Sequence, residues 1–144
     1  MTELSLTVER TIPAAQNRVF EAWLDPNMLR RFMLPGEGMS VPVANTDPTE
    51  GGRFQIVMQA GDQEIPHAGT YKKINPHSQL VFTWESPYSQ DDSEVTLDFA
   101  ADGDGTKVTL THVRFPSQES RDNHQGGWTM ILGALGAAFE AAEA

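Results

Sequence analysis

The segment from Trp128 to Phe139 limits what this chain can fold into more than any other. Trp128, Ile131, Leu132, Leu135 and Phe139 recur at intervals of three and four. On a 3.6-residue helix they gather into an arc of roughly 100°, the width of a buried stripe. Between Met39 and Phe115 the pattern changes to alternation with period two, broken by turn residues. A lone apolar helix closing a β-rich chain must lay its stripe on the sheet. Function is therefore expected in the space between helix and sheet.

The alternation also orders the remaining elements. Leu4, Leu6 and Val8 alternate with Ser5, Thr7 and Glu9 as a half-buried first strand. Pro13 signals entry into a short helix whose apolar face is Ala15, Val19, Ala22 and Trp23. Asp25-Pro26 reads as N-cap and first residue of a second short helix, with Leu29 and Phe32 inward and Pro35-Gly36-Glu37-Gly38 ending it. Ser40 to Asp47 is a strand that Pro42 confines to a sheet edge.

Five further strands carry inward sets: Phe54, Ile56, Met58; His67, Gly69, Tyr71; Leu80, Phe82, Trp84; Val95, Leu97, Phe99; Val108, Leu110, His112. Gly61-Asp62, Asn75-Pro76-His77-Ser78, the polar loop Pro87 to Asp92 and Asp102-Gly103-Asp104-Gly105 separate them. Ser117 is placed to cap the closing helical region, and Gly126-Gly127 predicts a break or close contact before the apolar helix. The order is β-α-α, six strands, one long helix. Such a chain is α+β, an antiparallel sheet with helices on one face, and residues 1–144 are expected to form a single domain.

Composition removes several function classes. The chain has no cysteine, so thiolate catalysis, Cys-based metal sites and a disulfide framework are excluded. Twenty acidic against ten basic residues give a net charge of −10 and repel phosphate backbones, which argues against a nucleic-acid partner. The four histidines lack metal-ligand spacing, and only a spatial meeting of His67, His112 and an acid such as Glu94 would make a metal site, so none is expected. No nucleophile elbow or phosphate loop occurs. The first residues lack a signal-peptide pattern and the longest apolar stretch is too short for a bilayer, so a cytoplasmic protein without membrane contact is expected.

Several local motifs together resemble the helix-grip, START-like superfamily, and within it the bacterial branch named after the activator of the heat-shock-protein-ninety ATPase. They are Val19-Phe20-Glu21-Ala22-Trp23 before Asp25-Pro26, Gly51-Gly52-Arg53-Phe54, Gly69-Thr70-Tyr71, Ile74-Asn75-Pro76, Leu80 to Trp84, Val108 to His112, and His124-x-x-Gly127-Trp128 with Leu132 and Leu135. The resemblance implies a curved antiparallel sheet of about seven strands wrapped around the C-terminal helix, with two short helices after the first strand and a cavity inside. One departure is Arg31-Phe32, where this branch often carries a Trp pair on the helix bordering the cavity mouth.

That resemblance and the inward sets point to a ligand-lining group of Phe54, Ile56, Met58, His67, Tyr71, Phe82, Trp84, Leu97, Leu110, His112, Trp128, Ile131, Leu132 and Leu135. The preferred function is holding a small apolar or aromatic molecule between sheet and C-terminal helix, without a cofactor. A second reading is a cyclase, dehydratase or hydrolase in which His112, Tyr71 or His67 exchanges a proton. A third is a co-chaperone-like domain acting through its surface on a protein partner, and a homodimer stays open. Met130 lies off the stripe, and His124 is expected to cap the helix or pack beside Trp128.

Overall fold

The computed structural model describes residues 4–34, 38–86 and 93–143. Seven strands form one antiparallel sheet: β1 (Ser5–Ile12), β2 (Met39–Thr46), β3 (Arg53–Ala60), β4 (Gln63–Asn75), β5 (Gln79–Thr83), β6 (Glu94–Asp102) and β7 (Gly105–Val113). Their spatial order is β1-β7-β6-β5-β4-β3-β2, so the first strand closes against the last and the remainder is a meander. Helices α1 (Gln16–Ala22) and α2 (Pro26–Phe32) lie between β1 and β2, and α3 (Gln118–Glu143) ends the chain. The sheet curls into a half-barrel around α3. This is the α+β helix-grip arrangement that the residue pattern and the resemblance led us to expect.

Turn and strand chemistry explain the frame. β2 is an edge strand, and its pairing with β3 slips between Ser40 and Val43, the stretch that contains Pro42. A proline lacks the N–H that a central strand must donate. Gly103 takes a φ of +62° in the turn from β6 to β7, where a side chain would be strained. In β4 the register shifts between Tyr71 and Lys73, and this long strand bends there.

The helix ends match expectation in part. Asp25 Oδ1 accepts from the Asn27 N–H at 2.9 Å with Pro26 first in α2. Ser117 Oγ likewise accepts from the Ser120 N–H at 3.1 Å. Two expectations are corrected. α1 starts at Gln16, three residues beyond Pro13, with no side-chain cap on Ala15. Gln16 instead anchors it by donating to the carbonyls of His77 (2.8 Å) and Phe99 (3.1 Å). The break expected at Gly126-Gly127 is absent, since α3 runs through both residues, and a Cβ at Gly126 would meet open space. Sequence gives glycine's freedom, but the helix's buried flank supplies enough packing to override its low propensity.

Apolar side chains from every element fill the concave side. Trp128, Ile131, Leu132, Leu135 and Phe139 are all buried there, whereas Met130 is 43% exposed. No helix is long and apolar enough to cross a membrane among the described residues. Pro35 to Glu37 and the loop from Pro87 to Asp92 lie outside those residues.

Candidate functional site

An aromatic layer lies on the concave face under α2. Phe54 of β3 packs against Tyr71 of β4 and Phe82 of β5, each with ring centroids 5.3 Å apart. Trp84, just after β5, continues the layer and meets Trp128 of α3 at 4.8 Å. Period-two pleating puts these rings on one face, and cross-strand pairing brings them within stacking range. Phe54 sits opposite Gly69, and its ring occupies the space that a Cβ at Gly69 would take.

A void of about 10 Å³ is lined by Trp23, Leu29, Met33, Phe54, Ile56, Tyr71, Phe82 and Trp84. That is the threshold for one water molecule, since a cavity needs about 10–15 Å³ on this measure. Five expected lining residues, Phe54, Ile56, Tyr71, Phe82 and Trp84, border it. Met58, Leu97, Leu110, Ile131, Leu132 and Leu135 are packed in the core away from this void. His67 and Trp128 stand behind its wall, each stacked on Trp84.

The roof comes from α1–α2 rather than from the long helix. The residue pattern sets Trp23 and Leu29 inward but does not single out Trp23, Leu29 or Met33 as ligand-lining. The four-residue spacing of Leu29 and Met33 is the signal that places both on one helix flank. The Trp23 indole N–H is buried and has no hydrogen-bond partner among the described residues. Its ring stacks edge-on against Phe32 at 4.9 Å. The Arg31-Phe32 departure therefore puts an aromatic ring against Trp23 and leaves the arginine exposed.

His112 belongs to a closed polar chain. The Trp128 indole N–H donates to His112 Nδ1 at 3.0 Å. This assigns the ring proton to Nε2, which donates to Ser93 Oγ at 3.2 Å. The Ser93 hydroxyl donates in turn to the Trp84 carbonyl at 2.7 Å. Both ring nitrogens are thus engaged, and burial, aided by the positive charge of His124, pushes the His112 pKa down to about 3. His124 packs on His112 at 5.3 Å and on Phe115, and its Nδ1 bonds the Ser120 carbonyl at 2.7 Å. It sits within α3 rather than capping its start.

His67 and Tyr71 are differently placed. His67 is buried and stacks on Trp84 at 4.9 Å, and its Nδ1 has no hydrogen-bond partner among the described residues. Burial holds its pKa at about 4, against a partial opposing pull from the backbone of Ile65 and Ile56. Burial, with the nearby Asp47 carboxylate, raises the Tyr71 hydroxyl well above its ordinary value, so it stays protonated. No hydrogen bond joins any two of His67, Tyr71 and His112 among the described residues. Glu94 faces away from His112, because Val95 is the cross-strand partner of His112 and Glu94 pairs with Lys72 at 3.5 Å. His112 and Glu94 therefore do not converge, and no metal-holding group of three His, Asp or Glu residues occurs among the described residues.

Removing the indole donor tests the polar chain. Trp128→Phe is expected to lose at least about 2 kcal/mol, since it shrinks a buried ring and leaves His112 Nδ1 without its donor. Urea unfolding measures the loss, and a change within about 0.5 kcal/mol would show that the chain contributes no stability.

The solution structure of the AHSA1-like protein from Aeromonas hydrophila superposes with a TM-score of 0.85 at 27% identity, covering 97% of this chain and 94% of that one. Protein CV1439 from Chromobacterium violaceum shares the fold with a TM-score of 0.84 at 24% identity, over 94% and 96% of the two chains. CalU16 from Micromonospora echinospora gives 0.71 at 26% identity, over 94% of this chain and 75% of that one. Comparison with curated proteins gives no match. The family described as activator of Hsp90 ATPase homolog 1-like protein matches residues 13–140, from the bend before α1 to the last turns of α3, and the chain belongs to that family.

Proposed function

We propose that this protein binds a small apolar or aromatic molecule on the aromatic layer beneath Trp23 and α2. The observation that carries the reading is the unpartnered, buried Trp23 N–H beside a residual void whose other walls are aromatic and aliphatic. A packed core normally satisfies its polar atoms, so an orphaned donor at a void supports a binding site there. A ligand needs far more than 10 Å³, and binding therefore displaces part of the roof. Met33 is suited to that movement because an unbranched thioether repacks readily.

The enzyme reading ranks second. A proton exchange through His112 would require breaking its bonds to Trp128 or Ser93, and neither His67 nor Tyr71 hydrogen-bonds to it among the described residues. The surface reading lacks a large apolar patch, since Met130 is the exposed large apolar side chain among the described residues. An open groove of about 500 Å³ is bordered by the polar and charged Asn45, Thr46, Asp47, Arg53 and Gln55 together with Phe54 and Ala68.

The binding reading predicts a blue or red shift of Trp emission and a rise in Tm with single-ring and two-ring aromatic molecules. Saturable shifts are the expected result, because two of the three tryptophans border the void. A diverse aromatic panel that moves neither signal at millimolar concentration would sink the proposal. Native mass spectrometry of protein from its own host supplies the independent check.

A further inference from the structure

The chemistry of the roof narrows the ligand class, and this step rests on the binding reading above. We infer that the pocket takes a neutral molecule whose carbonyl-type oxygen accepts the Trp23 indole hydrogen bond, with an aromatic ring against Phe54 and Trp84. The indole N–H is a donor only. A ligand that offers just N–H or ammonium groups leaves it orphaned, as does a plain hydrocarbon. Tyr71 lines the same void and its hydroxyl stays protonated, so it brings no charge there.

Charge makes the second selection. None of the residues around the void carries a formal charge, so a carboxylate entering it would lose its hydration without meeting a guanidinium or ammonium group. That penalty amounts to several kcal/mol for an unpaired buried ion. A net charge of −10 on the whole chain further disfavours an anion. Neutral carbonyl compounds escape this penalty and give the orphaned donor its partner.

Three probes of nearly equal size separate these cases: acetophenone, ethylbenzene and benzoate. Each is titrated into isotope-labelled full-length protein, with the indole N–H signals followed by NMR. Acetophenone is expected to bind roughly 10-fold more tightly than ethylbenzene, the range of a hydrogen bond that relieves an unsatisfied group, and benzoate least of all. The Trp23 indole proton is expected to move downfield with acetophenone only. Trp23→Phe keeps an aromatic ring, removes the N–H, and should bring acetophenone and ethylbenzene to the same affinity.

Equal binding of acetophenone and ethylbenzene to the unaltered protein would overturn this inference while leaving the binding function standing. Tighter binding of benzoate would also overturn it. Failure of all three probes to perturb the Trp23 or Trp84 signals would overturn both. Should Trp23→Phe not fold, the downfield movement in the unaltered protein decides alone.

Discussion

Lowering the pH from 7 to 3 should remove on the order of 8 kcal/mol of stability through two histidines. In the unfolded chain a histidine titrates near 6.5, whereas burial holds His67 at about 4 and His112 at about 3. Both folded-state values are depressed, so below 6.5 the unfolded chain binds protons that the folded protein refuses. Stability must then fall as pH falls, with the loss complete for each group once pH passes its folded value. The shifts correspond to about 3 kcal/mol for His67 and about 5 kcal/mol for His112. A domain of this size has about 5–15 kcal/mol in total, so acid unfolding is expected well above pH 3.

The pH window separates this effect from ordinary carboxylate titration. Glu85, held low by Arg53, loses its advantage only below its unfolded value near 4.5. The loss between pH 6.5 and 5 therefore belongs to histidines, and His124, also lowered by burial, adds in the same direction. Urea midpoints measured across this window should slope downward toward acid. His67→Phe, which keeps a ring against Trp84, should flatten the slope visibly. A profile that stays level from pH 6.5 to 5 would show that neither imidazole is kept neutral by burial.

Much of this protein was legible before its structure, for reasons that differ by element. Strand faces followed from parity: once Phe54, Phe82 and Trp84 were set inward, pleating required their alternate neighbours to face the other way. Pro42 identified an edge strand because missing donors are tolerated only there. The boundaries of α1 and the continuity of α3 were harder, because tertiary packing outweighs local proline and glycine signals. The burial of the inward residues was legible from parity, but the void was not. Which inward residues leave space depends on side-chain packing between elements far apart in sequence, and the void of about 10 Å³ owes its roof to Trp23, Leu29 and Met33. The partner of His112 was also hidden, since Ser93 follows a polar loop where nothing in the pattern suggests burial.

Gly69→Ala is expected to destabilise the protein by about 3 kcal/mol or more, at a position where sequence shows only a glycine between two inward residues. Its φ is not the reason, because Gly69 is not among the positive-φ glycines. The constraint is contact. A Cβ there would overlap the Thr83 carbonyl oxygen and stand 2.5 Å from Phe54 Cε1. The carbonyl belongs to the adjoining strand and cannot rotate away as a side chain would. Relief requires β4 and β5 to separate where the Thr70 N–H donates to Thr83 Oγ1 at 2.9 Å and Ala68 bridges Glu85. Overpacking of a rigid core ordinarily costs about 1–3 kcal/mol, and a backbone clash joined to a displaced aromatic ring falls at or beyond the upper end.

The second substitution distinguishes the two contacts. Phe54→Leu in the Gly69→Ala background frees the ring contact but leaves the overlap with Thr83, so rescue should be partial. Full rescue would place the constraint in the aromatic ring alone. No loss on Gly69→Ala would mean that the two strands stand farther apart in solution. Because Phe54 and Trp84 both wall the void, a Gly69→Ala protein that still folds should also bind aromatic probes more weakly. The same glycine would then set the spacing of the sheet and the depth of the pocket lying on it.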